Sequence, residues 1–322
     1  MKRIIVLGIV VFVVILAWTG AWFYGASFIT GYQRQLAEAD GVTTPKLTCD
    51  SFGVSGWPFA FDVTCSKPSV TYGDLTVTAA ALKGSAQVYD PFHVLLIAQA
   101  PMNLADAFTG SQSRVDFTSA EASARLTGWR IARISLVADK PVWNDTVLDD
   151  RLLARADHLE AHLVDLPDLD DAKAHLAGLG EYVEIDALNA PGFEINAGKA
   201  TFEGVLDKLP DDVRTYGDAD LLKRWQAAGG SFTLKGFNGT DGDTHFSATG
   251  QLALDAQGRV NGQVKLSSKG VVERLGPLLP DQYKGLIVGG QAADGSYSQT
   301  ISIAAGLAFA GLVPVGVIPP VF

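Results

Sequence analysis

Residues 231–267 read SFTLKGFNGTDGDTHFSATGQLALDAQGRVNGQVKLS. Ser231–Phe237, Thr244–Leu254 and Arg259–Ser267 are runs of strand length that alternate apolar with polar side chains, as strands with one wet and one buried face do. Turn residues separate them, at Gly239–Gly242 and at Asp255–Gly258. This stretch is therefore expected to form a three-strand antiparallel meander. The remainder shares its character: 34 glycines and 14 prolines in 322 residues imply many turns and favour β structure over helix bundles.

Towards the N-terminus, Asp218 is placed to cap a short helix over Ala219–Ala228, with Leu221, Leu222 and Trp225 on one face and Gly229 and Gly230 as the stop. Glu181–Leu188 and Lys199–Leu206 read as strands. Leu166–Leu179 has a helical look, opened by Pro167 and Asp168 and closed by Gly178 and Gly180. Just before it, Leu152, Leu153, Ala156, Leu159 and Leu163 fit helical spacing, whereas Leu159, Ala161 and Leu163 fit strand spacing equally, so both readings stand. From Pro68 to Trp143 period-two runs recur, for example Val70, Tyr72, Leu75 and Val77, then Val88, Phe92, Val94 and Leu96. A second antiparallel meander is expected there.

Towards the C-terminus, a second short helix is expected over Val271–Leu275, ended by Gly276 and Pro277. Gly295–Phe322 carries no charged side chain, and Ile301–Phe322 is long enough to cross a bilayer. Pro314, Pro319 and Pro320, together with Gly306, Gly311 and Gly316, interrupt any helix there, and Ile301, Ile303 and Ala305 alternate. Paired, well-buried strands are the expectation.

Between Arg3 and Arg34 there is no charge, and Ile4–Phe23 is almost wholly Ile, Val, Leu, Phe, Ala and Trp. Twenty residues at about 1.5 Å each match the ~30 Å hydrocarbon core. The stretch reads as a transmembrane anchor, residues 1–30, that includes Ile4, Phe12, Trp18, Trp22, Phe23 and Tyr24, the last four as an aromatic belt at the headgroups. Lys2 and Arg3 ahead of it place the N-terminus in the cytoplasm, so residues 31–322 are expected to be periplasmic, divisible into sub-domains 46–165 and 181–322. A cleaved signal peptide is the competing reading, but the apolar run exceeds a usual signal core.

Cys49 and Cys65 bracket an alternating hairpin, in which Phe52 and Val54 approach Gly53 and Gly56 and Phe59, Phe61 and Val63 leave them. In an oxidising compartment a disulfide is the natural pairing, while the spacing is not that of a Cys-x-x-Cys redox pair. The formal charge of −10 repels nucleic acid and anionic headgroups, so no nucleic-acid partner is expected.

His158 and His162 are four apart, which on a helix would aim both at one metal, with Asp165, Asp168 or His175 as a third ligand. Glu160 stands one place too late for the zinc-protease pattern. Asp165, Asp168, Asp170 and Asp171 lack the alternating-ligand pattern of a calcium loop, and Asp241, Gly242 and Asp243 are more simply a turn. His93 and His245 stand alone in strand-like runs. There is no nucleophile elbow, phosphate loop or dinucleotide fingerprint, so neither a catalytic residue nor a cofactor is assigned.

The short anchor, the Cys49–Cys65 hairpin with Gly56, Trp57, Pro58 and Phe59, and the run from Leu222 through Trp225 to Gly230 resemble the bacterial membrane-anchored family known as domain of unknown function 2125. So do the run from Gly250 through Asp255 and Gly258 to Gly262 and the ending with Val315, Gly316, Pro319 and Pro320. Its Leu-Asp-x-x-Gly turn is also similar, by analogy of architecture, to AsmA-type envelope proteins, whose β sheets curl into apolar grooves implicated in lipid handling. The expected fold is mainly β, an N-terminal transmembrane helix followed by a large curved antiparallel sheet with a few short helices. The expected function is non-enzymatic: an inner-membrane-anchored periplasmic protein that binds a lipid, another apolar ligand or an envelope partner. A self-filled structural or interaction module is the alternative, and a metal-dependent hydrolase at His158 and His162 the third.

Overall fold

The computed structural model describes residues 2–271 and 289–322. The chain is mainly β, its strands joined antiparallel in one large sheet. It divides into two compact units, Met1–Ala124 with Val142–Arg151, and Arg125–Pro141 with Leu152–Phe322.

In the first unit, helix α1 (Lys2–Glu38) is 37 residues long. Its Ile- and Val-rich half is helical despite the strand preference of β-branched residues, and a helix, which satisfies its own backbone, is the form such a segment can keep in an apolar medium. Asp40 stops it: one carboxylate oxygen accepts from the amides of Val42, Thr43 and Thr44, and the other from the Thr43 hydroxyl. These bonds hold the Asp40 carboxyl well below the usual range. Strand β1 (Lys46–Thr48) follows, then β2 (Ser51–Ser55), β3 (Ala60–Ser66), β4 (Ser69–Tyr72), β5 (Leu75–Gln87), β6 (Asp90–Asp106) and β7 (Gln112–Asp116). The β2–β3 hairpin pairs Phe52 with Cys65, and β3 continues onto β5, Phe61 opposite Ala86. The Cys49–Cys65 disulfide, with Cα atoms 5.4 Å apart, closes the open end of this hairpin. Strand β5 pairs with the 17-residue β6, which carries β7. Strand β8 (Ser119–Thr127) leads towards β9 (Arg130–Asp139), and β10 (Val142–Asp145) returns to pair with β7.

In the second unit, β11 (Arg151–Arg155) and β12 (His158–Asp165) lead to β13 (Leu176–Ala190), β14 (Ile195–Pro210), β15 (Ser231–Asp241), β16 (Thr244–Leu254) and β17 (Val260–Lys269). Successive pairings run from β9 through β12 and β13 to β17. The expected meander is present, with β15 running on to Asp241 so that its turn is tighter than the Gly239–Gly242 expectation. The ambiguous stretch at 152–163 is strand. β18 (Gly290–Gln291), β19 (Tyr297–Ala304), β20 (Leu307–Ala310) and β21 (Val313–Val317) complete the sheet, β19 pairing with β17. The C-terminal tail is thus paired strand, as its glycines and prolines imply. It is only partly buried: Ile303 and Ala310 point inward, while Leu312 and Val317 are exposed.

Leu166–Leu179 is not a helix. A single 3-10 turn at Pro167–Leu169 is followed by turns and then β13. Its aspartates offer the backbone other partners, Asp171 accepting from the amides of Lys173 and Ala174 and Asp170 from that of Gly178. Helix α2 (Leu221–Ala227) starts later than expected, after Asp220, and Asp218 is not its cap but an ion-pair partner of Arg224 at 3.0 Å. Apart from Val271, the helix expected at Val271–Leu275 lies outside the described residues.

The buried core of this unit gathers Ile131, Leu179, Leu209 and Trp225, with Leu126, Ile134, Leu163, Leu206, Tyr216 and Phe232 packed around them. Trp225 comes from α2, and its Nε1–H donates to the Asp207 carbonyl at 2.7 Å. Gly230 lies under this ring: a Cβ there would stand 2.1 Å from Trp225 Nε1. Burial pushes the Tyr216 phenol up to about 12, and its hydroxyl donates to the Pro210 carbonyl.

Candidate functional site

The most ligand-like feature of the second unit is a hollow on one face of β13–β16. The ladders place Leu188 opposite Gly198, Ala200 opposite Gly239, Gly239 opposite Phe246 and Asp241 opposite Thr244. Directly paired residues share a face, so these side chains form one continuous patch. Phe237 meets Phe202 and Phe246 edge-on, with ring centroids 6.4 and 5.3 Å apart. Gly198 and Gly239 add no side chain, which leaves a depression between the aromatic rings and Leu188. The turn at Pro191–Phe193 brings Phe193 and Ile195 over it, and Val271 closes one side. The resulting pocket measures about 300 Å³, at the small end of the range for ligand cavities.

Lys199, Thr240, Asp241 and Thr244 are its polar contacts. The Lys199 ammonium is committed to Glu184 and, at 2.9 Å, to Asp186. Its hydrogen bond to Glu184 raises the lysine pKa, and hydrogen bonds from Lys199 and Tyr182 pull the Glu184 carboxyl down to about 2. Asp241 accepts from the Asn196 and Ala197 amides. The charged neighbours of the pocket are thus engaged in holding strands, and what it offers a ligand is apolar contact. None of the residues lining it is Ser, Cys or His.

His158 and His162 lie on β12, not on a helix, so their Cα atoms are about 13 Å apart at strand rise. Glu160 sits between them on the same face, its Oε2 3.8 Å from His158 Nε2 and 3.4 Å from His162 Nε2. The remaining ring nitrogens are used as well: His158 Nδ1 is 2.9 Å from Asp139, and His162 Nδ1 is 2.9 Å from the Ser135 hydroxyl. The His162 ring stacks on Tyr182. The Asp139 hydrogen bond raises the His158 pKa. Asp165 and Asp170 are ion-paired with Arg130, and His175 lies 3.5 Å from Asp211. Among the described residues no group of three or more His, Cys, Asp or Glu side chains is arranged to hold a metal ion.

The anchor residues divide. Ile4 and Phe12 are exposed, as are Phe23, Tyr24 and Trp18, the last donating its Nε1–H to the Pro58 carbonyl, and the helix is long and apolar enough to cross a membrane. Trp22 instead is only 5% exposed. Its ring stacks on Phe61, 5.5 Å between centroids, and its Nε1–H donates to the Ala60 carbonyl at 2.8 Å.

The family model described as "Uncharacterized protein conserved in bacteria (DUF2125)" matches residues 22–319. The chain belongs to that family. No curated protein and no solved structure matches it. In this DUF2125 protein the match begins at the buried Trp22 and takes in the disulfide, the α2 core and the pocket strands. None of the pocket residues stands out in the sequence as a ligand contact, Gly239 and Asp241 reading there as turn residues. Gly198 precedes the expected strand Lys199–Leu206 and Gly239 falls in the expected turn, but the structure places both inside strands, where a glycine often marks close approach of a ligand or another backbone.

Proposed function

We propose that this DUF2125 protein is a non-enzymatic, inner-membrane-anchored periplasmic protein that holds part of an acyl chain, or a similarly apolar ligand, in the pocket of its second unit. The observation that carries the reading is that pocket, lined by Leu188, Phe193, Ile195, Phe237 and Phe246 with its charged neighbours already paired. Lys2 and Arg3, which open helix α1 ahead of its apolar run Ile4–Phe23, support a cytoplasmic N-terminus. The Cys49–Cys65 disulfide supports an oxidising compartment for the body.

Lipid extraction from the full-length protein, purified from membranes and analysed by mass spectrometry, tests this. A defined lipid or fatty-acid class should be retained by the wild type and depleted in Gly239→Leu, whose added side chain would enter the hollow from ordinary backbone: a Cβ there meets only Phe246, at 3.9 Å. Equal lipid content in both proteins would reject the pocket as the binding place and favour a structural or interaction module.

A further inference from the structure

Helix α1 lies against the hairpin ends of its own unit at a level that matters for the membrane. The Trp18 Nε1–H donates to the Pro58 carbonyl at 2.9 Å, one turn before Trp22 reaches Ala60. Gly25 lets the two elements approach, a Cβ there falling 2.7 Å from the Phe61 ring. Counting from Ile4, Trp18 is about 21 Å and Trp22 about 27 Å along the helix. A hydrocarbon core of about 30 Å that begins near Arg3 therefore extends past Trp18. The β2–β3 tip, bonded to Trp18, is then level with the last several ångströms of that core.

The tip is built for such a place. From Gly56 to Phe61 it carries no charge. Trp57 and Phe59 are 52% and 63% exposed. Four of its carbonyls are occupied: Gly56 accepts from the Phe59 and Ala60 amides, Pro58 from Trp18, Phe59 from the Val88 amide, and Ala60 from Trp22. Pro58 has no N–H to satisfy. A loop with most of its backbone acceptors met enters an apolar medium at lower cost than an open one. The Val88–Phe59 bond brings the β5–β6 turn alongside, with Tyr89 71% exposed and Asp90 immediately after it. That turn, with an aromatic and then a charge, suits the shallower headgroup level.

We propose that the β2–β3 tip, through Trp57 and Phe59, is inserted into the lipid leaflet from which α1 emerges, with Tyr89 at the headgroups, so that the first unit stands on the membrane at a second point beside its anchor. The partner is the phospholipid surface. The proposal rests on α1 crossing the bilayer, and its test separates the two claims. The described chain has no free cysteine, so Phe59→Cys, Tyr89→Cys, Phe12→Cys and Phe108→Cys each accept a single environment-sensitive NBD fluorophore. Phe108 is the control, 85% exposed beyond the far end of β6.

The labelled full-length proteins are reconstituted in vesicles of phosphatidylethanolamine and phosphatidylglycerol that contain nitroxide-labelled phospholipid. At Phe59 the probe should be blue-shifted and lose most of its emission to a nitroxide on a shallow acyl carbon. At Phe12 it should respond to a deep nitroxide, and at Phe108 to neither. A quenched Phe12 probe with Phe59 no more quenched than Phe108 overturns the insertion and leaves the anchor standing, whereas an unquenched Phe12 probe overturns both. Should Phe59→Cys fail to form the Cys49–Cys65 disulfide, Trp57→Cys is read in its place by the same criterion.

Discussion

The two units are held together by different means. Among the described residues, the large or apolar side chains the first buries are few, Trp22, Ala26 and Cys65 among them, and its integrity rests on a helix clamped to a hairpin and a disulfide that closes that hairpin. The second buries Ile131, Leu179, Leu209 and Trp225 in one cluster, roofed by α2, with no covalent staple. A long ladder with little beneath it buries too little apolar surface to offset chain entropy unaided, and constraining the unfolded chain is a remedy small cores commonly use. A sheet with a helix over it can rely on burial instead.

The largest effect is expected at Trp225. Trp225→Ala removes the ring at the centre of the second unit and should lower its stability by about 3–5 kcal/mol, seen as a lower denaturation midpoint and faster amide exchange in β13 and β14. A loss below about 1 kcal/mol would mean the cluster is not what holds this unit. Replacing Cys49 and Cys65 together by serine should cost the first unit about 3 kcal/mol for a bridge spanning 16 positions, with faster exchange in β2 and β3. Exchange in β13 and β14 should be unchanged; equal loosening there would contradict the division of labour.

Gly25→Leu sharpens the picture of the clamp. It forces Phe61 off the Trp22 ring and should cost about 1–3 kcal/mol, with the β2–β3 amides again the reporters. The smallest effect concerns His158. Its raised pKa means that the protonated imidazole is favoured in the folded state by Asp139. The associated stabilisation is present at pH below the unfolded value near 6.5 and fades as pH rises through the raised folded value. Titration by NMR should show His158 titrating above the ordinary histidine value near 6.5, and His158→Gln should flatten a shallow decline in stability across that pH range. A His158 titration at or below about 6.5 would remove this contribution.

Much of the fold was legible because its signals are local. Alternation from Ser231 to Ser267 marks strands, the prolines and glycines after Ile301 forbid a second spanning helix, and Cys49 and Cys65 flank a hairpin that brings them together. Leu166–Leu179 misled because its leucines have helical spacing while its aspartates bind the very amides a helix would use. The pocket was illegible for a different reason. It depends on Ala200 meeting Gly239 and Gly239 meeting Phe246, registers set by ladders and shifted by bulges at Glu203/Gly204 and Leu234/Phe237. Trp22 was legible as an apolar helix residue, but nothing near it in sequence announces Phe61 and Ala60.

If the hollow over Gly239 receives an apolar chain, the purified full-length protein should bind the fluorescent polyene fatty acid cis-parinaric acid in a titration. Saturable binding should be seen with the wild type, weakened about tenfold or more by Gly239→Leu, a change of about 1.4 kcal/mol or above, and left intact by Phe108→Ala. Absence of saturable binding, or identical affinity in wild type and Gly239→Leu, would contradict it.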